Sequence, residues 1–163
     1  MLHSIPAKWL LVVLGITTFP LGRCASADWE YTHWGMTADQ ARLASMGKLR
    51  KCSPPVCRAY ATTTSAAKLY GEFDDGVFTF TVFAFFEQWS GRLSAIELKL
   101  WDADQTDALV RALLAKYGEP QRNSNGAIIE SYIWRSSTDQ VTLLAVHDHR
   151  VSVTITYRPG GEP

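Results

Sequence analysis

Cysteine is scarce in this chain, at three among 163 residues. Charge of one sign is not in excess: lysine plus arginine and aspartate plus glutamate both number 16. A near-neutral chain with no basic run argues against nucleic acid, or an anionic membrane surface, as its partner. Low-complexity tracts are missing. So are a G-x-S-x-G nucleophile elbow, a phosphate-cradling glycine loop and the C-x-x-C spacing of zinc knuckles and redox motifs. The sequence therefore favours a protein that is not an enzyme, with no cofactor and no metal.

What is present begins with an address. Lys8 supplies a positive start, Trp9 to Ile16 opens an apolar stretch that fades by Leu21, and Ala25-Ser26-Ala27 offers the small residues a signal peptidase needs. The apolar run is only about 13 residues before Pro20, Gly22 and Arg23, whereas a membrane span needs roughly 20. Lipid attachment at Cys24 would want a small residue before it, and Arg23 stands there. The expectation is a signal peptide over 1–27, cleaved after Ala27, and a periplasmic or secreted bacterial envelope protein with no membrane span in the mature chain. Removing 27 of 163 residues leaves 136, one ordinary domain over 28–158, with Pro159 to Pro163 as a disordered tail. Lys8 and Arg23 leave with the signal, taking lysine plus arginine from 16 to 14 against 16 acids, a net charge of −2.

Cleavage also turns an odd three cysteines into an even two, Cys52 and Cys57. In an exported protein such a pair is most simply a disulfide, and the intervening Ser53-Pro54-Pro55-Val56 favours a turn. Free thiols are the alternative.

Thr37 and Gln40 form a capping box, and Gly47 is a natural stop, so a short helix is expected over about 38–46. A longer helix follows Asp102, Asp104 and Asp107, with Val110, Leu113, Leu114 and Tyr117 on a 3.6-residue period up to Gly118 and Pro120. The remainder reads as strands: Lys68 to Phe73, Val77 to Phe86 and Leu93 to Trp101, then Ile128 to Arg135, Val141 to Val146 and Val151 to Arg158. Their short connections imply antiparallel pairing. The expected fold is α+β, an antiparallel sheet of about six strands with two helices on one face, in the order αβββ-αβββ.

Gly35-Met36-Thr37-Ala38-Asp39-Gln40-Ala41 followed by Gly47 resembles the first helix of the outer-membrane-assembly lipoprotein domain of the BamE/SmpA type. The layout of repeated helix-plus-sheet units resembles the beta-lactamase-inhibitor-protein fold. Those domains bind other proteins and are not enzymes, so the resemblance implies a protein-binding role in the cell envelope.

Several polar groups suggest chemistry and have plainer explanations. His147-Asp148-His149 could place two imidazoles on one strand face, with His33 as a third, but it falls where a hairpin turn is expected. Asp102, Asp104 and Asp107 lack the spacing of a calcium loop and read as helix caps. Asp74-Asp75-Gly76 reads as a turn. Aromatic residues are the stronger signal. The strand Val77 to Phe86 is apolar on both faces, with Phe78, Phe80, Val82 and Phe86 on one and Val77, Phe83 and Phe85 on the other. Two short helices cover one face of a sheet, so Phe83, Phe85, Trp89 and Trp101 form the candidate binding face. The competing reading buries this strand on both sides. Trp29, Tyr31 and Trp34 make a second aromatic set. The expected partner is an envelope protein. The alternatives are a small apolar or lipid-like ligand between helices and sheet, and an unrecognised hydrolase.

Overall fold

In the computed structural model of the chain, residues 29–53, 55, 57, 60–148 and 151–160 are described; the signal-peptide and Cys24 expectations lie outside them. Helix α1 (Ala38–Ala44) begins at the capping box read from the sequence: the Gln40 amide donates to Thr37 Oγ1 at 3.3 Å, and the Thr37 amide donates to Gln40 Oε1 at 2.8 Å. After α1 come β1 (Arg50–Lys51), β2 (Ser65–Asp74), β3 (Thr79–Glu87) and β4 (Leu93–Leu100). A 3-10 turn, Ala103–Gln105, capped by the Asp102 side chain, leads into α2 (Thr106–Tyr117). Then follow β5 (Arg122–Asn125), β6 (Ile129–Arg135), β7 (Asp139–Val146) and β8 (Ser152–Pro159).

All the strands join one antiparallel sheet in the order β1-β2-β3-β4-β8-β7-β6-β5. The six-stranded αβββ-αβββ expectation is therefore corrected: among the described residues the sheet has eight strands, α1 and α2 are each followed by four, and strand outweighs helix 46% to 19%, so the fold is mostly β. The two missed strands are both edges. β1 is two residues long, and β5 is Arg-Asn-Ser-Asn, exposed throughout, so neither carries apolar alternation. The last strands of the two halves, β4 and β8, pair at the centre, giving the strand order an approximate two-fold symmetry.

Alternation sorts the strand residues onto two faces. One face packs under both helices: Leu69, Val82, Phe86, Ile96, Leu98, Leu143, Val153 and Ile155 join Ala41 of α1 and Leu109 and Leu113 of α2 in the main core. The other face is free of α1 and α2. Bulges at Lys68 in β2 and Ser94 in β4 keep each strand's apolar set on its proper side.

Candidate functional site

The helix-free face differs between the two halves of the sheet. A single row of partners crosses all eight strands on it: Arg50, Tyr70, Phe83, Glu97, Thr156, Thr142, Ile133 and Arg122. In the first half the middle of this row, Tyr70 and Phe83, is aromatic and covered. The chain between β1 and β2 is pinched by the Cys52–Cys57 disulfide, with Cα atoms 5.8 Å apart. It lays Cys57 and Tyr60 over Phe83, Phe85, Ala67 and Ala95 as a second, smaller core. The Tyr60 ring stacks on Phe83 with centroids 4.3 Å apart and planes 27° from parallel. The bridge is compatible with an oxidising, exported location.

In the second half the same face is bare among the described residues. The β5–β6 connection, which corresponds to that cover by position, spans only residues 126–128. Ile129 and Val146 sit opposite each other, and Leu144 lies on the next row. Ile129 is 50% exposed and Leu144 38%, high for large apolar side chains on sheet strands. Arg135 and Arg158 flank Gln140 on the same face, and Arg122 lies at its edge. The positions of β5–β8 on this face thus carry three arginines and no carboxylate.

Glu97 stands on the seam, between Phe83 and Thr156. Burial pushes its carboxyl above the usual range, while Lys99 and Arg158 pull it back.

The four aromatic residues proposed for binding are not brought into one site. Phe83 and Phe85 are on the helix-free face but are only 3% and 8% exposed, under the disulfide loop. Trp89, 72% exposed, caps the β3–β4 turn, whereas Trp101, 59% exposed, lies at the opposite end of that hairpin. Trp101 Nε1 donates to Thr81 Oγ1 at 2.7 Å, which folds the indole onto the rim of the helix-free face beside Lys99. The residues that the aromatic signal missed are Ile129, Leu144 and Val146. Their pattern was visible as alternation, but which half of the sheet stays open depends on where one loop folds.

The polar candidates take structural places. Asp75 Oδ1 accepts from the Val77 and Phe78 amides, and Asp74 Oδ1 from the Gly76 amide, closing the turn. Asp102 Oδ1 accepts from the Asp104 amide. His147 follows β7, its amide donating to Ile128 O at 2.7 Å and its Nε2 lying 3.4 Å from Glu130 Oε1. His149 lies outside the described residues, among which no three metal-ligating side chains cluster. No helix among them is long and apolar enough to cross a membrane.

On the other face, where the segment before α1 and the C-terminal end of α2 meet β6–β8, a pocket of about 220 Å³ is lined by Trp29, Trp34, Tyr117, Trp134, Asp139 and Tyr157. The Trp34 Nε1 donates to Asp139 Oδ1 at 3.1 Å and the Trp134 Nε1 to Gly118 O at 2.8 Å. Burial, and then the Tyr117 phenol, push the Tyr157 hydroxyl well above the usual range and hold it neutral. Two of the three residues of the second aromatic set, Trp29 and Trp34, thus line a cavity, while Tyr31 packs edge-on against Trp29.

Against known proteins, the chain matches no family model, and no curated protein or solved structure is significantly similar to it.

Proposed function

We propose that the chain is a non-enzymatic binding domain of the bacterial cell envelope, exported by a cleaved signal peptide, that docks a protein partner on the bare half of its helix-free sheet face. One observation carries the reading: among the described residues, a single sheet face is sealed by a disulfide-pinned loop in one half and left open, with Ile129 and Leu144 exposed, in the other. Exposed apolar side chains in such a setting mark an interaction surface. The three arginines around them fit a partner that presents apolar residues rimmed by carboxylates. The resemblance of the first helix and the layout to envelope domains that bind proteins supports the same reading.

The test is affinity capture from envelope extract with the wild-type protein and two variants, Leu144→Asp and the double variant Arg135→Glu/Arg158→Glu. Both variants change exposed side chains, so far-UV CD stays near wild type; Tm stays near wild type for Leu144→Asp and falls modestly for the double variant, which replaces the Arg158 cation near Glu97 with a carboxylate. The same captured protein is expected with wild type and lost with both variants. A captured set that is unchanged in the variants contradicts the reading.

A further inference from the structure

The aromatic pocket is on the opposite face from the docking surface and stands independently of it. Three indoles and two phenol rings line it, from segments as far apart in sequence as Trp29 and Tyr157. A second cavity of about 280 Å³ shares Trp29, Tyr117 and Tyr157 and adds the carboxylates of Glu30 and Asp75 and the ammonium of Lys116.

The charges in this region are unequal. Asp139 presents a carboxylate to the pocket. Arg135 also borders it, but strand alternation turns its side chain to the other face, where Nε donates to Gln140 Oε1 at 2.9 Å. The Tyr117 ring and the Tyr157 phenol, which burial holds neutral, supply further aromatic surface. The indole N–H groups of Trp34 and Trp134 are already taken by acceptors within the protein, so these two walls offer π surface rather than donors. Lys116 Nζ sits 5.1 Å from the centroid of the ring of its neighbour Tyr117, a local cation–π contact at one of these rings. Aromatic faces grouped around a carboxylate are the chemistry that recognises alkylated ammonium ions. At about 220 Å³ the pocket falls below the range that holds drug-sized molecules, so it suits a small headgroup.

We infer that this pocket binds an alkylated ammonium group, seated against Trp34, Trp134 and Tyr117 with Asp139 as its counter-charge. The group could arrive free or on a lipid headgroup, and the two sources share this chemistry.

Tryptophan fluorescence titration of the full protein tests it. The probes are choline, its neutral carbon isostere 3,3-dimethylbutan-1-ol, and vesicles of phosphatidylcholine or of phosphatidylglycerol. Choline is expected to saturate, with the isostere weaker by about tenfold. Asp139→Asn keeps an oxygen acceptor for Trp34 and is expected to weaken choline by about tenfold while leaving the isostere unchanged. A response to phosphatidylcholine vesicles alone assigns the group to a lipid and supports the same pocket chemistry. Equal binding of choline and isostere, an unchanged Asp139→Asn variant, or no response to choline and phosphatidylcholine vesicles overturns the inference.

Discussion

Tyr60 stacks on Phe83 at a centroid distance of 4.3 Å, and this contact divides the helix-free face into a sealed half and an open one. Tyr60 is held there by the short ring between Cys52 and Cys57. Replacing both cysteines with serine is expected to cost about 2 kcal/mol in loop entropy. Urea unfolding with and without reductant checks it: wild type falls to the level of the double variant when reduced.

Tyr60→Ala is expected to lower stability by about 1–3 kcal/mol through lost aromatic burial and stacking. It also uncovers Phe83, so binding of a hydrophobic dye to the native protein should rise. Phe85→Ala is a core truncation on the same grounds. Its expected signature is a loss of several degrees in Tm and no selective loss of a partner.

Gly71 in β2 is required by close approach. A Cβ there would collide with the Lys48 carbonyl oxygen and press on Leu49, which is fully buried. Because the obstacle is backbone, Gly71→Ala is expected to destabilise by about 1–3 kcal/mol, measured by urea unfolding.

Glu97 gives a pH-dependent prediction. Its folded-state carboxyl holds its proton more tightly than in the unfolded chain. Stability from this residue is therefore complete below the unfolded value and declines as pH rises through the folded one. Glu97→Gln is expected to raise Tm at pH 7 and to leave it nearly unchanged at pH 3. An increase of the same size at both pH values would contradict the assignment.

Much of the frame was legible in residue order. The Thr37–Gln40 box is local, so its sequence sufficed to start α1 where it starts. Ile96, Leu98 and Leu100 alternate with Glu97 and Lys99, and the structure puts the first set under the helices. The missing pieces are those without a local signal. β1 and β5 are held by backbone pairing with neighbours while their side chains face water, so no apolar period betrays them. The burial of Phe83 depends on Tyr60, 23 positions earlier in a loop with no periodic pattern. The aromatic pocket depends on Trp34 meeting Asp139 across 105 positions, which needs the completed sheet.

The most direct measurement of the central claim is site-specific photocrosslinking in the cell envelope. A photoreactive phenylalanine analogue replaces Leu144 on the open face, Phe83 beneath the loop, or the exposed Arg111 on α2. Leu144 is expected to yield one discrete crosslinked species, weakened by Arg135→Glu/Arg158→Glu, while Arg111 and Phe83 yield none. No species from Leu144, or the same species from Arg111, would contradict a partner on the open half of the sheet.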